Sequence, residues 1–245
     1  MSARRTFATA LRVLRQLRHD PRSVALMLLV PSVLLGLLAW ILQRSPGTFD
    51  HFAPSMLGIF PLIVMFLVTS VTTLRERTSG TLERLMTLPL AKAEFVLGYA
   101  VAFGAMAVAQ ASLVSGLSFG AYGLRVDGSP WLIVLVSILN AVLGTALGLS
   151  LSALATNEFQ AVQFMPAVLF PQLLLCGIIE PRDTLPTALR WASDVMPMSY
   201  SVDATNRVAT AAGVSAALAN DLVVVAGFIV VALVVGALTL RRRTP

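Results

Sequence analysis

LRERTSGTLERLMTLPLAKAEFVLGY, residues Leu74–Tyr99, is the longest charged interval between two apolar runs of the chain, and its reading decides the fold. It opens on Arg75, Glu76 and Arg77. Thr78-Ser79-Gly80-Thr81 then offers several helix N-caps. Leu82, Leu85 and Met86 follow at i, i+3 and i+4, the spacing of one apolar helical face. Glu83 falls in the first turn, where the helix dipole favours an anion, and Arg84 beside it is polar. Pro89 prevents a long continuation. The pattern predicts a short capped helix over 78–88, lying across a membrane surface between two spans. Two readings are open: a docking element, and a solvated loop that carries topological charge.

Composition supports the membrane setting. Of 245 residues, 57% are hydrophobic and 12% charged, and the mean hydropathy is +0.82. Soluble domains carry about 25% charged residues. The single cysteine, Cys176, excludes an intramolecular disulfide, and His19 and His51 lie in different segments from it. No metal cluster is expected. The net charge of +6 does not point to nucleic acid, because the arginines gather at the ends of apolar runs.

Working outward, residues 4–22 form a basic amphipathic helix. Phe7, Ala10, Leu11, Val13, Leu14 and Leu17 share one face, with Arg5, Arg12, Arg15, Gln16 and His19 opposite. Such a helix lies in the headgroup region of an anionic leaflet, with Arg5, Arg12, Arg15 and Arg22 at the membrane surface. A signal peptide fits less well, since the apolar run that follows is of span length and no small-residue cleavage site comes after it. Spans are expected at 23–42, 56–74, 95–124, 131–155, 161–179 and 221–240, with a loop over 43–55. Gly144 and Gly148 stand in GxxxG spacing. Residues 181–212 are too polar to span. They read as two short external helices at or dipping into the interface, with Trp191 and Tyr200 as anchors, and an ordinary external loop is the competing reading.

With the N-terminus inside, 13 of the 18 basic residues fall on inner segments. Positive-inside bias therefore predicts two cytoplasmic termini and an even number of spans, which six satisfies. The six runs are expected to hold no Asp, Glu, Lys, Arg or His, with Glu94, Glu158 and Glu180 only at span ends. Ion-coupled transport usually needs such groups at membrane depth. Polar side chains such as Gln110, Asn140, Gln163 and Gln172 either bond between helices or line a path. The sequence contains no GxxxxGK[ST], so the chain itself has no Walker-type cradle for ATP phosphates. An intramembrane serine protease is disfavoured because both histidines fall outside the runs.

The run Glu76-Arg77-Thr-Ser-Gly80-Thr81-Leu82-Glu83 through Pro89 resembles the signature of the type-2 ABC exporter permeases, most closely their drug-efflux, daunorubicin-resistance-like branch. It differs by one inserted-looking Thr-Ser pair. A second match is Met196-Pro197-Met198-Ser199-Tyr200-Ser201-Val202-Asp203-Ala204 with Arg207 after it. It resembles that family's segment ahead of the last span, with Asp194-Val195 where an Asn is usual.

The resemblance implies a six-span, all-α permease whose 78–88 segment is a coupling helix, and whose 181–212 segment is an external re-entrant pair. It implies two copies of a cytoplasmic ATPase subunit, which bind the ATP and Mg while this chain binds no cofactor and is not itself an enzyme. It implies a second permease chain, identical or closely related, in a bacterial-type plasma membrane. A path lined by Leu, Met, Phe and Val suits a hydrophobic or amphipathic cargo moved outward. Export of a lipid-linked glycan is the alternative within the same mechanism. A non-transporting membrane scaffold or assembly factor is the alternative outside it.

Overall fold

The computed structural model describes residues 2–79, 91–211 and 213–239, and every regular element among them is helical. In order they are α1 (Ala3–Arg18), α2 (Pro21–Ile41), α3 (Pro46–Thr78), α4 (Lys92–Gly120), α5 (Pro130–Leu151), α6 (Glu158–Leu175), a 3-10 turn (Arg182–Thr184), α7 (Thr187–Asp194), α8 (Pro197–Thr210) and α9 (Ala216–Thr239). Five of these, α2, α3, α4, α5 and α9, are long and apolar enough to cross a membrane. The chain is an all-α, multi-pass membrane protein. α6, expected as the fifth of six spans, has 18 residues and carries Glu158, Gln160, Gln163 and Gln172, which leave it outside that group.

The centre of the fold is the pair α3 and α5, the most extensive helix contact in the molecule. Its cause is the GxxxG pair. A Cβ at Gly144 would overlap the Leu62 carbonyl, and one at Gly148 would lie 2.6 Å from the Phe66 carbonyl oxygen. Glycine at these positions lets the two backbones touch, so dispersion acts over the whole interface. α4 flanks this pair and buries Phe95, Tyr99 and Phe103. Ala10, Val13 and Leu17 of α1 join the same apolar cluster.

Several boundaries differ from expectation. The loop expected over 43–55 is helical from Pro46, so α3 runs 33 residues. Pro46 occupies the first turn, where its missing N–H and fixed φ favour helix. Phe49 and Ala53 then bury against Leu35, Leu124 and Val208. Tertiary burial carries the helix through a stretch too polar to be read as span. The runs expected to reach 124 and 155 stop at Gly120 and Leu151. After Gly120 the chain turns through Gly123 at φ +75°, a conformation that favours glycine.

Asp20 separates α1 from α2 and also caps the latter. The Ser23 hydroxyl and amide donate to its carboxylate at 2.6 and 3.2 Å, and these bonds hold its pKa below the usual range. The last span was expected to begin at Asp221. α9 begins at Ala216 instead, so Asp221 lies more than a turn inside a spanning helix and is buried. The expectation of no ionisable group within the spans is corrected there: Arg207 Nε bonds Asp221 Oδ2 at 2.9 Å, which makes the burial tolerable.

The glycine contact can be tested directly. Gly144→Val is expected to destabilise the protein by about 1–3 kcal/mol, the usual cost of overpacking. Gly104→Ala, where an added Cβ meets nothing within 4 Å, should lose no stability and gain up to about 1 kcal/mol from helix propensity. Thermal aggregation in detergent, followed by size-exclusion chromatography, measures both.

Candidate functional site

A helix turns about 100° per residue. Arg75, Glu76 and Arg77 therefore leave the last turn of α3 in three directions, and each reaches a different neighbour. Arg75 Nε and Nη2 donate to the two carboxylate oxygens of Glu158, at 2.8 and 2.9 Å, at the start of α6. Arg12 of α1 donates from Nη2 to Glu76 Oε2 at 3.1 Å. Arg77 Nη1 donates to the Ser152 carbonyl at 2.5 Å, just past the end of α5. Arg12 Nη2 also donates to the Tyr99 hydroxyl of α4 at 2.7 Å. One turn of α3 thus ties α1, α4, α5 and α6 together.

The three ties differ in burial. The Glu76 side chain is 8% exposed and that of Arg12 is 29% exposed, so their pair lies largely out of water. Arg75 and Glu158 are 59% and 51% exposed. Exposed pairs contribute about 0–1 kcal/mol, whereas breaking a buried pair costs considerably more.

The far side of the interval is gripped too. Glu94, in the first turn of α4, accepts from the Ala91 amide at 3.0 Å and from the Ser2 amide at 2.6 Å. α1 lies close on α4 at this point. A Cβ at Gly98 would stand 2.6 Å from Thr9 Cβ. α1 therefore holds both ends of the interval: Arg12 holds its departure at Glu76, and Ser2 holds its return at Glu94. Gly80, Thr81, Leu82, Glu83, Arg84, Leu85, Met86 and Pro89 of the expected coupling helix lie outside the described residues.

Of the four expected surface arginines, Arg5, Arg15 and Arg22 are exposed. Arg12 turns inward to Glu76 and Tyr99 instead, because a buried carboxylate offers a stronger partner than solvent. The apolar face of α1 divides. Ala10, Val13 and Leu17 pack inward, while Phe7 and Leu11 remain exposed.

The four interior amides differ in environment. Gln110 Nε2 donates to the Met27 carbonyl of α2 at 2.6 Å. Gln172 donates to the Val168 carbonyl and accepts from the Met198 amide of α8. Asn140 is 1% exposed with neither amide atom bonded, above Gly58 of α3. Gln163 is exposed on α6.

In the 181–212 segment, α8 buries Pro197, Met198, Val202, Ala204 and Val208 into the body of the protein. Trp191 points outward at 70% exposure, while the Tyr200 hydroxyl donates to the Asp194 carbonyl at 2.7 Å. Sequence reasoning missed Arg182. Its guanidinium bonds both Asp194 and Asp203 and lies 5.2 Å from the centre of the Tyr200 ring. Burial pushes the Asp203 carboxyl pKa up, and Arg182 pulls it down. Arg182, Asp203 and Asn206 line a cleft of about 560 Å³. The one sequence signal for Arg182 was its place directly after Pro181 at the end of an apolar run.

Comparison with known proteins adds a family. A family model described as ABC-2 type transporter matches residues 4–208. The chain is 28% identical over 155 residues to a protein named probable multidrug ABC transporter permease YbhR of Escherichia coli (strain K12), covering 63% of this chain and 42% of that protein. It is 25% identical over 155 residues to ABC transporter G family member 20 of Dictyostelium discoideum, covering 63% of this chain and 21% of that protein. A protein named inner membrane transport permease YhhJ of Escherichia coli (strain K12) is 26% identical over 145 residues, covering 57% of this chain and 38% of that protein. The aligned region is thus less than half the length of each of these relatives.

The buried tie yields a double-mutant prediction. Arg12→Ala strands the Glu76 carboxylate and should lower stability by about 3 kcal/mol. The double variant Arg12→Leu/Glu76→Leu removes both charges and should lose less than Arg12→Ala alone. Melting of the detergent-solubilised protein decides between this order and simple additivity.

Proposed function

This chain belongs to the ABC-2 type transporter family, and from that premise we propose that it is the membrane-spanning subunit of an ATP-driven exporter whose ATP is hydrolysed by separate subunits. The observation that carries the proposal is the last turn of α3, where Arg75, Glu76 and Arg77 tie four helices to the start of the 78–88 segment. A docking element needs such a mechanical connection, and a free charged loop does not. In this reading 78–88 is a coupling helix on the cytoplasmic ATPase. Leu82, Leu85 and Met86 are its apolar anchors, and Glu83 and Arg84 set its register. α6 serves as a sixth span, short and partly polar, so both termini are cytoplasmic. Two permease chains and two ATPase subunits make the working assembly, with ATP and Mg held by the ATPase.

Closure of the ATPase pair pushes the coupling segment. The push reaches α1 and α4 through Glu76, α5 through Arg77 and α6 through Arg75. The cargo is a hydrophobic or amphipathic small molecule moved outward. The name of YbhR as a probable multidrug permease and the apolar character of the helices support that choice.

Two measurements test this. In a Cys176→Ala background, single cysteines at Ser129 and Thr187 should label from outside, and those at Thr87 and Thr244 from inside. Labelling of Thr87 and Thr187 from one side refutes the six-span topology. Leu85→Asp should abolish co-purification of the ATPase, since an apolar interface anchor is worth about 2 kcal/mol or more and the new charge would be buried unpaired. Glu83→Ala should retain the complex but weaken drug-stimulated ATP hydrolysis, as rim charges do. Full binding and full stimulation by Leu85→Asp would show the segment to be a charged loop.

A further inference from the structure

We propose that Arg75 and Glu158 form an ionic latch that positions the inner half of α6, and that this latch is the joint through which the coupling segment moves that helix. The proposal rests on the coupling reading above and adds a moving element to it.

α6 is the most lightly held of the long helices. It buries only Ala161, Leu169 and Gln172, whereas α3 buries residues along its whole length. Its substantial packing partners are α3 and the short helices α7 and α8. Its two ends are held differently. At the outer end Leu169 and Cys176 join the apolar cluster of Ile59, Met198 and Val202. There the Ser193 hydroxyl donates to the Leu175 carbonyl at 2.8 Å, and the Met198 amide bonds Gln172. At the inner end Ala161 is buried in a small cluster with Leu74 and Ala155, against which Phe164 and Val71 pack half-buried. The other inner fastening is the bidentate Arg75–Glu158 pair, more than half exposed on both sides.

Between the two ends lie Pro166 and Pro171. Each removes a helical N–H donor and weakens the helix at its own turn. α6 is thus a strut with a fixed outer end, a weakened middle and an inner end held by a pair that water and salt can reach. Arg75 is the farthest of the three ties from the coupling segment, but its pair is the exposed one, so when that segment is displaced the latch is the tie that releases. The other two ties resist release. Glu76 is buried, and Arg77 bonds a backbone carbonyl, which stays fixed with α5.

The test uses the full chain in permeabilised membranes, with Ala161→Cys as reporter in a Cys176→Ala background. Ala161 is buried against Leu74, so its thiol reacts with a charged maleimide only when the inner end of α6 leaves α3. Arg75→Gln is expected to speed labelling about fivefold, equivalent to roughly 1 kcal/mol, the upper range for an exposed pair. Arg75→Lys keeps the charge and should recover most of the protection. Raising ionic strength should speed labelling in the parent and not in Arg75→Gln, because screening and deletion remove the same interaction.

Parent-like labelling in Arg75→Gln, or equal salt acceleration in both proteins, overturns the latch. If Arg75→Gln fails to accumulate, Glu158→Gln serves in its place with the same expectations. ATPase co-purification from the same membranes reports the coupling reading separately. If the parent retains no ATPase, that reading fails, while the labelling still decides the latch. If Arg75→Gln keeps the ATPase bound yet loses nucleotide-dependent labelling at Ala161→Cys, both stand.

Discussion

The buried pair Arg12–Glu76 fixes where every other inner element can lie. Glu76 lies on the last turn of the longest helix, and a carboxylate that far out of water needs a cation. Arg12 supplies it and carries α1 down onto α4, where Tyr99 takes a second bond from the same guanidinium. Once Glu76 is fixed in this direction, helical geometry sends Arg75 toward α6 and Arg77 toward the end of α5. A single rotational setting of one helix end therefore determines three contacts. Rotating α3 by one residue would strand a buried charge and break all three.

The helical body has a tightly packed axis and a lightly packed flank. Gly144 and Gly148 bring α5 against the carbonyls of α3, and no side chain there can adjust to absorb a shift. α6 has no comparable contact. Its hold on α3 is the apolar cluster of Leu169 with Ile59, Leu62 and Phe66 toward one end, and at the other a small cluster around Ala161 with one exposed ion pair. Motion follows the cheaper route, so a push arriving at the end of α3 moves α6 before it shears α3 from α5.

Much of this was legible in the sequence and some was not. α2, α4, α5 and α9 follow from apolar runs, because burial in lipid and burial in protein demand the same residue types. The start of α3 was not legible, since Phe49 and Ala53 are buried by residues distant in sequence, among them Val208. The charges at span ends were read as topological signals, and that reading does not exclude tertiary partners. Arg75 and Glu158 are 83 residues apart, and Arg12 and Glu76 are 64 apart, distances at which no local pattern pairs them. A helical wheel placed Arg12 on the outward face because a wheel separates polar from apolar and does not separate water from a buried carboxylate. Most of the expected coupling helix, residues 80–88, lies outside the described residues.

The interior polar groups explain why control lies at the helix ends. Many of the buried hydroxyls are satisfied within their own helix: Ser118 by the Val114 carbonyl, Thr145 by Ala141, Thr205 by Ser201. Such back-bonding satisfies a polar group without committing it to a neighbour. Among the described residues, the bond Gln110 to Met27 joins α4 to α2, and Tyr122, just past the end of α4, donates to Ser32 of α2. Interhelical hydrogen bonds in membranes average about 0.6 kcal/mol. α6 can therefore shift against α3 without stranding a buried donor along the shared interface. At the Glu158 end such a shift must break the Arg75–Glu158 pair and the small apolar cluster beside it, while the other end stays packed through Leu169. The fastening of the Glu158 end of α6 thus lies within one turn of the end of α3.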